Sequence, residues 1–345
     1  MQHSSSLDMD QRWPPLLGKP NGHAKLRAVL EDFRVDEIPA YDPCGTGEHL
    51  FVKIEKSGLT TDQVLGQMAK HLGIKTRDMG TAGLKDRLAV TTQWISIPAR
   101  ASSALDTMDI QGVQIIDSKK HTNKLKTGHL KGNHFSITLR DVDDETIAEM
   151  GKRCSLIRAK GCPNYFGPQR FGARGDNEAE GRAILQGKGR RHDRRGLRFM
   201  LNALQSALFN DVLAQRISKG MFSRVLDGDI LIKADTGGRF LCTDPKLDQS
   251  RADDFLVHPS GPMFGPKMAE PKGIAQQMER DVLMNSGLNM EHWKKFAKLT
   301  SGARRALRLD VKSLRMTHGQ DWVKLSFELP AGAYATSLIR ELVNT

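Results

Sequence analysis

One carboxylate lies between two cations in a loop-like segment of the 345-residue chain. Asp86 follows Lys85 and precedes Arg87, and a β-branched stretch begins a few residues later. A nearby cation favours the ionised form of a carboxylate, so Asp86 is a candidate acid or nucleophile. The tripeptide alone is more typical of a solvated turn in which all three charges are exposed. The case for Asp86 therefore depends on the sequence around it.

The common motifs for metal, nucleotide and redox chemistry are absent from the sequence. It has no Gly-x-x-x-x-Gly-Lys-[Ser/Thr] phosphate loop and no His-Glu-x-x-His motif. Asp227 and Asp229 begin a pattern like a calcium loop, but Leu231 stands where a third oxygen ligand is needed. The four cysteines form no Cys-x-x-Cys pair. We therefore expect neither a metal nor a cofactor.

The net charge of +12 favours a polyanionic partner, because each cation that neutralises a phosphate releases counterions. No apolar run approaches the ~20 residues of a membrane span, so nucleic acid is favoured over a membrane. Two segments concentrate the charge, one in residues 119–131 and one in residues 188–198. The side chains expected to contact phosphates are Lys124, Lys126, Lys131, Arg190, Arg191, Arg194 and Arg195.

Hydrophobic periodicity predicts an α+β protein, because strands and helices mix without regular βαβ alternation. Strands are predicted within residues 25–38, 49–56, 92–98, 112–118, 133–142 and 313–329. Helices are predicted from residue 61 to Gly73, from about 143 to Gly161, up to Gly220, over 274–285 and over 335–343. Thr336 or Ser337 is the predicted cap of the last helix. The composition changes near residue 164, which indicates a second domain.

Five blocks along the chain resemble the sequence motifs of the TruD family of pseudouridine synthases. They are residues 31–37 (EDFRVDE), 81–94 (TAGLKDRLAVTTQW), 124–135 (KLKTGHLKGNHF), 163–172 (PNYFGPQRFG) and 329–342 (LPAGAYATSLIREL). The second block contains Asp86 and resembles the catalytic motif. The blocks occur in the same order as in the family and span nearly the whole chain. Because of this resemblance, we interpret Asp86 as a candidate catalytic residue rather than as part of a solvated turn.

The resemblance implies an enzyme that converts a uridine of tRNA, at position 13 in the D arm, into pseudouridine. Asp86 would be the catalytic residue, and an extruded base would be bound by the surrounding side chains. Residues implied to bind the substrate are Phe33, Asn133, Phe135, Tyr334, Arg27 and Lys85. Relatives carry Phe where this chain has Tyr334 and Lys where it has Arg27. Arg27 could pair with Asp86 or contact a phosphate.

The resemblance also implies a catalytic domain with a mixed, mainly antiparallel sheet and an inserted α+β domain. The expected boundaries are 21–160 with 306–345 for the catalytic domain and 161–305 for the insertion. From composition alone, residues 1–20 are expected to form a flexible tail, because residues 1–10 are polar and Ser-rich. A monomer in the cytoplasm is the expected state.

Three alternatives stay open at the level of the sequence. A tRNA chaperone or ribosome-associated protein would share the charge and the aromatic residues, but would tolerate Asp86→Asn. The same chemistry on ribosomal or small nuclear RNA is equally compatible with these residues. A methyltransferase is disfavoured, because no glycine-rich cofactor loop follows an early strand. The sequence also leaves open whether Asp86 attacks the sugar, attacks the base or promotes a glycal intermediate.

Overall fold

The structure, a computed structural model, describes residues 9–172 and 174–345. The strands are β1 Lys25–Leu26, β2 Phe33–Pro39, β3 His49–Ser57, β4 Gly80–Thr81, β5 Val90–Pro98, β6 Val113–His121, β7 Leu130–Arg140, β8 Cys162–Pro163, β9 Ile230–Lys233, β10 Arg239–Leu241, β11 Val257–Met263, β12 Ala303–Ala306, β13 Arg308–Leu309, β14 Lys312–His318 and β15 Trp322–Pro330. The helices are α1 Met9–Arg12, α2 Thr61–His71, α3 Asp144–Lys160, α4 Asn177–Leu185, α5 Arg194–Ser218, α6 Pro245–Asp253, α7 Gly273–Asn285, α8 Met290–Lys294 and α9 Ala335–Leu342. The α+β class predicted from the sequence is confirmed.

The chain divides into two compact units, and each is discontinuous in sequence. The first, here the sheet unit, comprises Asn21–Cys154, Val311–Ala333 and the last residue. The second, here the helical unit, comprises Ser155–Asp310, Tyr334–Asn344 and the described residues up to Pro20. In the part of the chain that the structure describes, no helix is long and apolar enough to cross a membrane.

The sheet unit is built on a nine-stranded, mainly antiparallel sheet. Seven strands follow the order β14-β15-β7-β2-β5-β3-β6, while β1 pairs with β7 and β4 with β5. The β2–β5 pair is parallel, and it joins the two segments that carry Phe33 and Asp86. The C-terminal strand β15 pairs along β7 from Trp322 to Pro330, so a segment distant in sequence completes this sheet.

Helix α2 covers one face of the sheet as its apolar spacing predicts. Val64, Leu65 and Met68 are buried against a cluster that includes Val52 and Ile95. The side chain of Thr60 accepts a hydrogen bond from the backbone N–H of Gln63, which caps the first turn. The predicted helix from residue 61 is confirmed.

The helical unit is arranged around α5, a 25-residue helix whose apolar residues are largely buried. Helices α4 and α7 and strand β11 pack against it. Strands β10, β9, β11 and β12 form a four-stranded sheet in that order, and β8 and β13 form a separate pair. The mixture of helices and a small sheet agrees with the α+β character expected of the inserted region.

The segment preceding Pro20 differs from the flexible tail predicted for residues 1–20. Trp13 is 2% exposed and packs on Phe171, with ring centroids 5.1 Å apart. Arg12 forms ion pairs with Glu178 and Asp211 at 2.7 Å each. The prediction is wrong for these residues. It was based on the polar, Ser-rich residues 1–10 and overlooked Trp13, a large aromatic side chain that becomes buried. Residues 1–8 lie outside the described residues.

The end of the chain also departs from the sequence prediction. Residues 334–344 group with the helical unit rather than with the sheet unit. The carboxylate of Glu341 accepts hydrogen bonds from the backbone N–H groups of Leu16 and Leu17, which ties α9 to the N-terminal segment. The cap of α9 is Tyr334, so the prediction of Thr336 or Ser337 is wrong. The Ser337 hydroxyl donates instead to the Tyr165 carbonyl at 3.0 Å.

Candidate active site

Asp86 lies in the loop between β4 and β5 of the sheet unit. Its side chain is 48% exposed, and Nη2 of Arg27 donates to its Oδ2 at 3.2 Å. The two sequence neighbours of Asp86 are directed elsewhere. Arg87 donates to the carbonyl of Gly58, and Lys85 points into the buried interior of the unit. The carboxylate is therefore accessible to solvent, and it is held by an arginine that is 59 positions away in the sequence.

Arg27 follows strand β1 with a positive φ of 59°, in the left-handed region that non-glycine residues rarely adopt. Its guanidinium lies over the ring of Phe33, with 4.2 Å between Cζ and the ring centroid. A left-handed residue costs about 1 kcal/mol and persists only where its surroundings hold it. The ion pair and the cation–π contact supply that stabilisation here.

Lys56 is a functional candidate that sequence reasoning missed. Its side chain on β3 is fully buried at 0% exposure. Nζ donates to the backbone carbonyls of Asp86 and Leu59, both at 2.7 Å. Burial lowers the pKa of this ammonium to about 8, with Lys85 adding to the shift and Asp86 opposing it. Lys56 thus fixes the backbone of the residue that carries the candidate catalytic carboxylate.

A second buried cation forms a network beneath the Asp86 loop. Nζ of Lys85 lies 3.2 Å from Oε2 of Glu37 and donates to Oδ1 of Asn133 at 2.5 Å. The other oxygen of Glu37 accepts from the backbone N–H of Trp94. Burial lowers the pKa of Lys85, while the carboxylate of Glu37 opposes that shift. Glu37 was also missed, although it ends the first block that resembles the family, because its partner Lys85 lies far along the chain.

Phe33 and Phe135 are largely buried on adjacent strands, at 3% and 6% exposure. Their ring centroids are 6.4 Å apart in an edge-on arrangement, and Phe135 also stacks on Phe327 at 5.2 Å. Both rings therefore pack within the sheet unit, as aromatic core residues do. Arg27 covers the face of Phe33, so the rings form the base of the region around Asp86.

The remaining predicted residues are distributed over both units. Tyr334 belongs to the helical unit, where its ring centroid lies 6.1 Å from that of Phe166. The sheet unit brings together Arg27, Phe33, Lys85, Asp86, Asn133 and Phe135. Lys126 and Lys131 are exposed on this unit, and Lys124 donates to the Arg77 carbonyl. The arginines at 190, 191, 194 and 195 are exposed on the helical unit.

The sequence and the fold match known pseudouridine synthases. A solved structure from Methanosarcina mazei, assigned as tRNA pseudouridine synthase D, aligns over 96% of both chains with a TM-score of 0.77 and 23% identity. That likeness shows the fold. The tRNA pseudouridine synthase D of Anaeromyxobacter dehalogenans is 42% identical over 329 residues, or 94% of each chain. The Thermus thermophilus protein of that name is 41% identical over 326 residues, covering 94% of this chain and 90% of the relative.

The relatives at 42% and 41% identity place the chain in the pseudouridine synthase class. The family model described as tRNA pseudouridine synthase D (TruD) matches residues 16–195 and 190–342. The chain therefore belongs to the TruD family, as its five sequence blocks predict.

Proposed function

We propose that this protein isomerises a uridine of tRNA to pseudouridine, with Asp86 as the catalytic carboxylate. One observation carries the proposal: the carboxylate is half-exposed, yet both its side chain and its backbone are held. Arg27 binds the carboxylate, and the buried ammonium of Lys56 binds the backbone carbonyl of the same residue. A group held at both points loses little entropy on reaching a reactive geometry. A merely solvated turn would not require a buried lysine.

The reaction breaks the N1–C1′ bond, turns the base and forms the C5–C1′ bond; C5 loses a proton to water and N1 takes one up. No electrons are gained or lost, so the residues of the chain can supply the chemistry. Every route to this product requires a carboxylate that reacts with, or stabilises charge on, the sugar or the base. Asp86 is suited to that role because Arg27 orients it while half of its surface remains open to a substrate.

Lys56 acts as a positioning residue in this proposal, since it touches the backbone of Asp86 rather than the substrate. Its two acceptors, the carbonyls of Asp86 and Leu59, lie on separate segments of the chain. The single ammonium therefore joins the Asp86 loop to the end of β3. The carboxylate of Asp86 in turn opposes the loss of the positive charge of Lys56.

Asn133 is proposed to recognise the edge of the uracil ring. A lysine ammonium can only donate, so Oδ1 of Asn133 must face Lys85. The amide NH₂ group then remains able to donate to a uracil carbonyl, and the Lys85–Glu37 pair fixes its orientation. An extruded base needs such a polar contact together with aromatic surfaces. Phe33 and Phe135 of the sheet unit are proposed to supply those surfaces, and the proposal that Tyr334 of the helical unit binds substrate rests on the family resemblance alone.

The proposed substrate site is position 13 in the D arm. The lysines at 124, 126 and 131 and the arginines at 190, 191, 194 and 195 are proposed to contact tRNA phosphates. We also propose that the protein acts as a cytoplasmic monomer without a metal or cofactor. The domain boundaries proposed from the sequence are 21–160 with 306–345 for the catalytic domain and 161–305 for the insertion.

The reaction can be tested with a tRNA transcript tritiated at C5 of uridine. The pure protein should release tritium to water, and the modified nucleotide should map to position 13. Ribosomal RNA fragments labelled in the same way serve as the comparison substrate. Release from those fragments but not from tRNA would overturn the proposed substrate. Binding of tRNA without release from either RNA would support a non-catalytic RNA-binding protein instead.

A further inference from the structure

A group of partly exposed rings lies at one end of the sheet unit. We call it the ring stack, and it consists of Tyr41, His121, His129 and Phe51. Tyr41 is 37% exposed, and its ring stacks on that of His121 with centroids 5.2 Å apart and planes at 21°. Phe51, buried at 2%, lies beneath His121 at 4.7 Å. The stack thus runs from the protein interior to its surface.

Hydrogen bonds hold the ring stack rigidly. The hydroxyl of Tyr41 lies 2.6 Å from Nδ1 of His129. The backbone N–H of Cys44 donates to Nδ1 of His121 at 3.2 Å, so this nitrogen acts as an acceptor. Gly47 has a φ of +121°, and a Cβ there would meet the carbonyl oxygen of His121 at 2.4 Å. The loop therefore closes against His121, and a rigid aromatic surface binds a ring at low entropic cost.

Cations surround the ring stack. Lys119 and Lys120 are exposed on edge strand β6, directly before His121. His49, which pairs with His121 across the sheet, also lines a cleft of about 590 Å³. The cleft is also lined by the cations Arg77, Arg100 and Lys124 and by the carboxylates of Glu48 and Asp78. Edge lysines also discourage strand pairing between molecules, but that role does not require a tyrosine stacked on a histidine.

We propose that the ring stack binds an unpaired base of the tRNA at a distance from Asp86, with the neighbouring lysines on its phosphates. Aromatic surfaces beside cations bind single-stranded RNA in this way. Phe51, the member of the ring stack on β3, is five residues from Lys56, or roughly 17 Å at about 3.3 Å per residue. Lys56 bonds the Asp86 carbonyl, so this contact would engage nucleotides other than the uridine being modified. The inference rests on the proposed function for the identity of the RNA.

The test compares Tyr41→Ala with Tyr41→Phe in the full-length protein. Filter binding measures Kd for two RNAs: the complete tRNA transcript, and a short stem-loop with fewer than about six nucleotides on each side of the target uridine. Loss of the ring should raise Kd for the complete tRNA roughly five- to 150-fold. The stem-loop should bind both variants as it binds the wild type. Tyr41→Phe keeps the ring and should stay within about threefold of the wild type for both RNAs.

An unchanged Kd for the complete tRNA in Tyr41→Ala would overturn the inference. So would an equal weakening for both RNAs, since that pattern indicates damage transmitted to the Asp86 region. Thermal melting of each variant establishes that the protein is folded. Tritium release is measured in parallel on the wild type. Absence of release there would contradict the proposed reaction, while the Kd comparison would still decide the role of the ring stack.

Discussion

The sheet unit holds its cations in two opposite ways at the two ends of strand β3. Near Asp86, Lys56 and Lys85 are buried, and each binds specific oxygen atoms. Near Tyr41, Lys119 and Lys120 are exposed on an edge strand. Removing a cation from water is costly, so a buried lysine is retained only where its partners fix it in place. The exposed lysines cost little and attract phosphates over a longer range.

Because the two ends differ in burial, substitutions at each end should affect different properties of the protein. Substitutions near Asp86 should change stability or kcat, because the buried groups fix the position of the Asp86 loop. Substitutions near Tyr41 should change Kd and its dependence on salt, because the exposed groups there are proposed to bind the RNA.

The largest expected effect on stability comes from Glu37→Gln. This change leaves the buried Lys85 without its counter-ion, and breaking a buried pair costs about 3–5 kcal/mol. Urea denaturation measures the loss, with Glu31→Gln on the exposed surface as the matched control. The double variant with Lys85→Met should recover most of the stability. A loss below about 1 kcal/mol would mean that the pair does not anchor this end of the sheet.

Lys56→Met should lower kcat about 100-fold and leave KM within about threefold. The loop would lose its anchor, and a small displacement of a reacting group has an effect of that size. Steady-state tritium release measures both constants. Lys53→Met on the same strand removes a partly exposed lysine and should leave kcat unchanged. A KM increase without a fall in kcat would assign Lys56 to binding rather than to positioning.

The activity should decline as the pH rises above about 8. The pKa of Lys56 is about 8 in the folded protein, so its positive charge near Asp86 is lost in that range. The expected fall in kcat approaches about tenfold per pH unit at higher pH. A pH profile of tritium release measures it, and Lys56→Met should lack this limb. A wild-type profile flat to pH 10 would contradict the prediction.

Stability should respond to the same ionisation with the opposite sign. The folded pKa of about 8 lies below the unfolded value of 10.5, so the unfolded chain holds more protons between them. The free energy of unfolding of the wild type should therefore rise relative to Lys56→Met from about pH 8 to 10.5. A fall in kcat together with a rise in the free energy of unfolding would show that the loss of activity comes from deprotonation of Lys56. General alkaline unfolding would lower both.

The smallest effect is expected at the exposed end of the sheet. Replacing Lys119 and Lys120 together with Gln should reduce the slope of log K against log salt by roughly 1.4–1.8, the value for two lost phosphate contacts. Stability should change by less than about 0.5 kcal/mol, because exposed surface substitutions rarely do more. Filter binding of tRNA over a salt series provides the slope. An unchanged slope would show that Lys119 and Lys120 do not contact the RNA phosphates.

The sequence predicted the local features of this protein better than its long-range contacts. The α2 helix and the Asp86 block are defined by residues close together in the chain, and the possible Arg27–Asp86 pair was anticipated from the family resemblance. Lys56 could not be found in this way, because it follows Glu55 in a polar stretch of β3. Its burial arises only when the strand pairs with Thr91 on one side and Val113 on the other.

The same limitation explains the errors at the chain ends. A polar N-terminal segment predicted a tail, yet Trp13 inserts among residues more than 150 positions away. The return of β15 to β7 was implied by family resemblance alone, since periodicity predicts strands but not their partners. Only the structure therefore shows which single side chains, such as Lys56 and Trp13, are buried by segments distant in the sequence.

The role of Asp86 as the catalytic carboxylate can be tested by comparing Asp86→Asn with the wild type on C5-tritiated tRNA. Asparagine keeps the size of the side chain and removes its negative charge, while Asp117→Asn removes one exposed charge elsewhere on the sheet unit. The account predicts at least a roughly 1000-fold loss of tritium release in Asp86→Asn. It also predicts a Kd for tRNA within about threefold of the wild type, and normal release by Asp117→Asn. Release by Asp86→Asn at more than about a tenth of the wild-type rate would contradict the assignment of Asp86 as the catalytic carboxylate.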